Sequence, residues 1–275
     1  MTAVAAVQMA SGPNVQANLL EARRLIQRAV DGGARLVVLP ENFALMGMSD
    51  YDRVEAGERP GEGPMQAFLA EQARRHGIWL VGGTVPLIAP DPSRIYSACL
   101  VFDDGGRQVA RYDKVHLFDV NLVDNQEQYT ESATIEPGRG VTVVDTPFGR
   151  LGLAVCYDLR FPEMFRCMLD QGAELVAVPS AFTALTGRAH WEVLVRARAI
   201  ENLVYMIAAA QGGYHLNGRE TYGHAMLVDP WGRVMDQLAQ GAGVVLGKMD
   251  RPLLDSTRRN FPSIYHRRIN CESRV

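Results

Sequence analysis

Gly33-Ala34-Arg35-Leu36-Val37-Val38-Leu39-Pro40 returns 139 residues later as Gly172-Ala173-Glu174-Leu175-Val176-Ala177-Val178-Pro179. In each copy a glycine precedes a short apolar run that stops at a proline, which has no N–H to give a β-ladder. Both runs read as buried strands. Other matches fall in order around them. Tyr96…Asp103…Gly106-Arg107 recurs 126 residues on as Tyr222…Asp229…Gly232-Arg233, and at the same offset Ile78-Trp79-Leu80-Val81 meets Val204-Tyr205-Met206-Ile207. Ala6-Val7-Gln8 lines up with Ala154-Val155-Cys156. Ordered matches at nearly constant spacing point to an internal duplication rather than to shared composition.

Strand-like and helix-like stretches alternate, the pattern of an α/β fold. Residues 4–9 read as a strand. Residues 18–31 follow with apolar side chains at helical spacing and end at Gly32-Gly33. A helix is expected over 64–76, with Pro64 in its first turn, and its counterpart over 190–202. Strands around 96–102 and 107–112 are joined by Asp103-Asp104-Gly105-Gly106, a strong turn signal. Residues 113–140 read as polar and irregular, and a loop of that length suggests function. Each half then supplies a sheet covered by helices on one face. Two such halves, packed by their bare faces, predict an α/β fold of four layers, an α-β-β-α sandwich with pseudo-two-fold symmetry. A single domain over 1–275 is expected, with a C-terminal arm from about 252.

Composition narrows the function. The 275 residues are 47% hydrophobic and 21% charged, with a formal net charge of −3. That balance argues against a nucleic-acid partner and against a polybasic membrane surface. The tail is locally basic (Arg258, Arg259, Arg267, Arg268, Arg274), which fits an inter-subunit or solvated role better than a nucleic-acid arm. Cys99, Cys156, Cys167 and Cys271 form no C-x-x-C pair and are too sparse for a disulfide scaffold. With no signal-peptide pattern at the N-terminus and no membrane-length apolar run, a soluble, cytoplasmic protein is expected.

Three segments hold side chains suited to chemistry. Cys156 follows the apolar run 151–155 and precedes Pro162-Glu163, which reads as a helix start. A thiol between a strand end and a helix N-terminus would be held rigidly in positive potential, which lowers its pKa. A buried structural cysteine is the other reading. Glu41 lies just beyond a strand, where functional groups of α/β sheets collect, or else caps a helix. Lys114, in Tyr112-Asp113-Lys114-Val115-His116, and Glu131, in Tyr129-Thr130-Glu131-Ser132, are surface residues on position alone. No G-x-S-x-G, H-E-x-x-H or G-x-x-x-x-G-K-[ST] motif is present, and the six histidines lack metal-ligand spacing.

Together, Pro40-Glu41-Asn42-Phe43, Tyr112-x-Lys114-x-His116-Leu117-Phe118-Asp119 and Gly152-x-x-x-Cys156-Tyr157-Asp158-x-Arg160-Phe161-Pro162-Glu163 resemble the three signature segments of the nitrilase superfamily of carbon–nitrogen hydrolases. The resemblance runs over nearly the whole chain. It implies a catalytic triad of Glu41, Lys114 and Cys156, a further active-site glutamate at Glu131, the nitrilase-like four-layer fold, no cofactor and no metal, and a homodimer or higher homo-oligomer. Further segments, 179–182, 186–201 and 222–232, look like the branch that contains deaminated glutathione amidase and ω-amidase, with Tyr222-Gly223-His224-Ala225-Met226 closer to the former.

The chemistry expected from the resemblance is hydrolysis of a small carboxamide to acid and ammonia through a thioester. Glu41 takes the thiol proton, Cys156 attacks, and Lys114 with the backbone N–H of Tyr157 stabilises the oxyanion. Phe118, Phe182, Thr183 and Arg188 are the expected substrate contacts. An anionic substrate needs donors, with Arg188, Arg219 or backbone N–H groups the candidates. Aliphatic amidase, carbamoylase and nitrilase activities are alternatives, as is a catalytically idle scaffold. Loop 121–130 is an individual feature that would shape the pocket.

Overall fold

The computed structural model describes residues 1–122 and 127–269. The first half runs β1 (Thr2–Met9), α1 (Val15–Asp31), β2 (Leu36–Val38), α2 (Tyr51–Glu55), α3 (Pro64–His76), β3 (Trp79–Val81), β4 (Val85–Ile88), β5 (Ile95–Phe102) and β6 (Gln108–Asp113). A hairpin, β7 (Asp119–Leu122) and β8 (Glu127–Thr130), then leads to β9 (Thr142–Thr146), β10 (Gly149–Leu153), α4 (Pro162–Asp170), β11 (Leu175–Ala177), α5 (Ala184–Asn202) and β12 (Tyr205–Ala208). The remainder is β13 (Ala210–Tyr214), β14 (Glu220–Tyr222), β15 (Ala225–Val228), β16 (Val234–Leu238), β17 (Gly243–Met249) and α6 (Arg251–Asn260).

The duplication is visible in the ladders. One sheet contains the path β17-β1-β2-β3-β5-β6, paired antiparallel, parallel, parallel, antiparallel, antiparallel. The other repeats that sequence of pairings along β9-β10-β11-β12-β15-β16. Leu36 faces Trp79 in the first, and Leu175 faces Tyr205 in the second, so the offsets of 139 and 126 hold residue for residue. The first strand needs a correction. Ala6 pairs with Val38 and Leu153 with Ala177, so Ala6 corresponds to Leu153 and not to Ala154. Apolar runs match in composition at several registers, and a one-residue slip exchanges the two faces of a strand.

Four layers follow from the alternation of side chains. Ala5, Val7, Val37 and Leu80 pack against α1 and α3 through Leu25, Ile26, Phe68 and Leu69. Val4, Ala6, Leu36 and Val38 point the other way, into a core shared with Leu151, Leu153 and Leu175 of the second sheet. Met168, Trp191, Val195 and Ala199 close the outer side of that sheet through α4 and α5. The predicted four-layer sandwich is the observed one.

The duplicated hairpin turns are alike in detail. Asp103 accepts from the backbone N–H of Gly105 and Arg107, and Asp229 accepts from Trp231 and Arg233. Gly106 and Gly232 sit at φ 78° and 83°, where only glycine is unstrained. Elsewhere the helices extend beyond expectation. α1 begins at Val15 because the Asn14 side chain caps the N–H of Ala17 at 2.9 Å, and α5 begins at Ala184 behind a Thr183 cap.

Residues 113–122 and 127–140 hold more regular structure than their polarity suggested. β7 and β8 pair in register from Asp119↔Thr130 to Leu122↔Glu127. The tip of loop 121–130, residues 123–126, lies outside the described residues, as do Cys271 and Arg274. The expected arm from 252 starts as a docked helix: Leu254 is buried, and Arg258 donates to the carbonyls of Leu203 and Ala173. Arg267 forks onto Asp170 with two bonds of 2.9 Å. Among the described residues, no helix is long and apolar enough to cross a membrane.

Candidate active site

Glu41, Lys114 and Cys156 come from three strand exits and meet in one cleft. Pro40 ends the run from β2, and the chain then turns sharply through Asn42 at φ 56°, a conformation asparagine tolerates better than most residues. The turn is pinned at two points. Asn42 N–H donates to Thr84 at 2.9 Å, and Gln211 Nε2 donates to the Glu41 carbonyl at 3.0 Å. Lys114 follows β6, with its own N–H on the Ser97 carbonyl and its carbonyl accepting from Gly138. Cys156 opens a short 3-10 helix after β10 at φ 49°, the left-handed region. Holding a side chain there costs about 1–3 kcal/mol and marks a position that the surrounding structure enforces.

The lysine is the hub. Its Nζ lies 2.9 Å from Glu41 Oε1 and 2.8 and 3.1 Å from the two oxygens of Glu131, with only 1% of its side chain exposed. Burial by itself would push the ammonium to shed its proton. The charges of Glu131 and Glu41 outweigh that penalty, so the lysine pKa stands above its ordinary value. For Glu131, burial favours the protonated acid, but Lys114 and then Arg53 overcome it and hold its pKa below the usual carboxylate range. The Phe118 N–H also donates to Glu131 at 2.8 Å, which fixes the carboxylate against the lysine.

Cys156 lines the same cleft as Glu41 and Lys114, with Ala181 on the wall beside it. The expected lowering of its pKa is not what the site produces. Burial, followed by the charge of Glu41, pushes the thiol well above its ordinary value, and Lys114 offsets only part of this. Two carboxylates around one ammonium already leave the pocket negative, so a resting thiolate would add a second unbalanced charge. The arrangement suits removal of the proton by Glu41 during attack rather than a preformed thiolate.

The cleft offers about 360 Å³ of empty space, part of it open to solvent. Glu41, Lys114, Glu131, Cys156, Tyr157, Phe118, Phe182 and Thr183 all line it. Tyr157 sits in the first turn of the 3-10 helix, where backbone N–H groups lack intrahelical acceptors, so its N–H is available to an oxyanion. Phe118 meets the Tyr157 ring edge-on, with centroids 5.0 Å apart. Arg188 departs from expectation. It is exposed on α5 and takes no part in the cleft.

Arg219, the other arginine named as a candidate anion donor, does line the cleft, as does Arg160. Arg160 lies over the rings of Tyr157 and Phe182 at 5.7 and 5.3 Å. Its place in the Cys156 segment was the available signal. Ala181, Asn42 and Thr186 also reach the cleft, and nothing in their residue types announces it. Among the described residues, no cluster of His, Cys, Asp or Glu is arranged to hold a metal ion.

The cleft is braced from behind. Asp158, fully buried two residues after the nucleophile, accepts from Tyr112 Oη and Val155 N–H on Oδ2, and from His116 on Oδ1. Arg198 of α5 directs two N–H groups at the Leu159 carbonyl, 2.9 and 2.7 Å away. Arg198 thus packs and pairs structurally, with Glu201 as its ionic partner.

The profile of the Carbon-nitrogen hydrolase family matches residues 3–259. A deaminated glutathione amidase of Yersinia enterocolitica is 44% identical over 266 residues, covering 96% of this chain and 92% of its own length. The Saccharomyces cerevisiae Nit3 crystal structure, a member of branch 10 of the nitrilase superfamily, superposes with a TM-score of 0.85 at 33% identity, covering 95% of this chain and 94% of its own. The C. elegans NitFhit structure gives a TM-score of 0.90 at 38% identity over 97% of this chain, which spans 65% of that protein. By its profile match, its relatives and its fold, the chain belongs to the carbon-nitrogen hydrolase family.

Proposed function

We propose that the chain is a cysteine-dependent amidase of deaminated glutathione or a closely related 2-oxo acid amide. One observation carries the reading: a buried thiol in one cleft with a carboxylate that shares a single ammonium with a second carboxylate. Cys156 Sγ bonds to the amide carbon while its proton passes to Glu41. The oxyanion is held by Lys114 and the Tyr157 N–H. Collapse breaks the carbon–nitrogen bond, and Glu41 gives the proton to the leaving nitrogen. Water then loses a proton to Glu41 as it attacks the thioester, the acid departs, and the thiol is restored. Glu131 keeps Lys114 charged and aimed.

The name carried by the relatives adds the substrate. In glutathione the γ-amide nitrogen belongs to a cysteinylglycine, so hydrolysis of the deaminated compound releases a dipeptide amine, where a primary amide would release ammonia. The acyl half carries its own carboxylate. Arg160, over the aromatic wall of Tyr157 and Phe182, supports binding of that anion. The same reading carries a cytoplasmic site of action and a homo-oligomer. The exposed apolar side chains of Val193, Ile200, Trp231 and Phe261 support the latter.

The test is turnover of deaminated glutathione, 2-oxoglutaramate, propionamide and propionitrile by the wild type, Glu41→Gln and Cys156→Ala. Deaminated glutathione is expected to give the highest kcat/KM, both variants to be inactive, and mass spectrometry to find the acyl group on Cys156. Absence of turnover across the panel, or normal turnover by Glu41→Gln, would sink the reading.

A further inference from the structure

A second cavity opens beside the cleft that holds Cys156. It offers about 730 Å³ of open space against about 360 Å³, and Asn42 and Arg219 line both. Its wall is the segment from Leu45 to Asp50, which follows the Glu41 turn, together with Arg53 and Asn217. Asn217 Nδ2 donates to the Gly47 carbonyl at 2.7 Å and so ties the far wall to this segment.

The direction of the reaction says which half of a substrate would enter it. The leaving nitrogen has to come to Glu41, the group that returns its proton. Asn42 is the next residue and one of the two shared walls. A substituent on that nitrogen therefore runs past Asn42 into the second cavity. The acyl half lies on the other side of the carbonyl carbon, toward Phe118, Phe182 and Arg160.

The charges of the cavity say what that substituent carries. Asp50 and Arg53 both line it but neutralise each other at 2.6 Å. Arg219 stands at the junction with its guanidinium 4.9 Å from the Tyr129 ring centre. Its Nε is buried and has no acceptor among the described residues. A buried donor left unpaired on a cation is costly until an anion satisfies it, and a carboxylate fits its planar fork.

We propose that the second cavity is a leaving-group subsite for an amine that ends in a carboxylate, of dipeptide size, with Arg219 as its anion contact. The proposal rests on the amidase reading above for its orientation. It makes the chain an enzyme of N-substituted amides, distinguished from enzymes of primary amides by what lies beyond the nitrogen.

Two measurements test it. The first is calorimetric binding of alanylglycine and its uncharged C-terminal amide, alanylglycinamide, to Cys156→Ala. The acid should bind about tenfold more tightly, and adding Arg219→Ala should abolish that difference. Equal binding of the two, or a preference that survives loss of Arg219, overturns the subsite. The second is the ratio of kcat/KM for deaminated glutathione to that for 2-oxoglutaramate. It should fall about tenfold in Arg219→Ala and also in Met48→Trp, which narrows the second cavity only. An unchanged ratio in both variants overturns the proposal. If the dipeptide acid binds through Arg219 but deaminated glutathione is not hydrolysed, the substrate named above fails and the subsite stands. If deaminated glutathione is hydrolysed with no carboxylate preference, the reverse holds.

Discussion

Tyr112 gives its hydroxyl to Asp158 at 2.7 Å, joining the strand that carries the lysine to the turn that carries the sulfur. His116 completes the clamp on the other oxygen of Asp158, also at 2.7 Å. Lys114 sits midway between these two anchors in sequence, and Cys156 two residues before the acid. One buried carboxylate that touches neither reacting group thus ties the lysine segment to the cysteine turn.

Asp158→Asn tests that relationship. An amide presents donors where Tyr112, Val155 and His116 also donate, so about 2–3 kcal/mol of stability should be lost. In the folded variant kcat should fall with little change in KM, because the defect lies in the placing of the catalytic groups. Unfolding in urea together with steady-state kinetics checks both, and a variant equal to wild type in each would refute the clamp.

Lys114→Met keeps the length of the side chain and removes its charge. Glu41 and Glu131 would then face each other without a cation, and breaking such a buried group typically costs about 3–5 kcal/mol. Activity should vanish, and one of the two carboxylates should take up a proton near neutral pH. Proton release measured on unfolding at pH 7, absent in the wild type, reports that uptake.

Alkali should destabilise the fold through two groups. Cys156 has a folded pKa above its ordinary 9.0, and Lys114 one above 10.5, so each binds its proton more tightly when folded. Their contribution is complete below those ordinary values and is lost as pH rises through the folded ones. Glu131 acts at the other end: its lowered folded pKa gives stability above about 4.5 that is lost in acid. Urea midpoints of Cys156→Ala should decline less steeply than wild type above pH 9. Parallel declines would show that the sulfur titrates normally.

The duplicated turns should differ in tolerance. A methyl group on Gly106 would meet the backbone oxygen of Ala70, whereas on Gly232 it would meet the flexible side chain of Ile200. Both positions also carry the strain of positive φ. Gly106→Ala should therefore lower the melting temperature more than Gly232→Ala. A larger drop for the second would mean that α3 yields more readily than the Ile200 side chain.

Much of this was legible because it is local. Glu41, Lys114 and Cys156 each follow a strand, and each lies in a segment whose residue order is distinctive. The helix over 64–76, with Pro64 in its first turn, is found there, and Gly77 caps its end. Contacts made by distant parts of the chain were not legible. β17 pairs with β1 across the length of the sequence, and β4 hides behind Pro86, which is tolerated because it lies on a sheet edge. Residue type named both Arg188 and Arg219 as candidate anion donors but could not choose between them: Arg219 reaches the cleft through the β13–β14 hairpin, and Arg188 turns to solvent. The direction of the thiol pKa depended on burial and on Glu41 together, neither of which sequence position supplies.

The symmetry of the sandwich stops at its reagents. The base and the cation hang from one repeat, and the sulfur hangs from the other. Neither half-length polypeptide could turn over an amide by itself, however well it folded. Mixing the two separately made pieces should regenerate hydrolysis only to the extent that their sheets dock face to face, which makes ammonia or amine release a direct gauge of that docking.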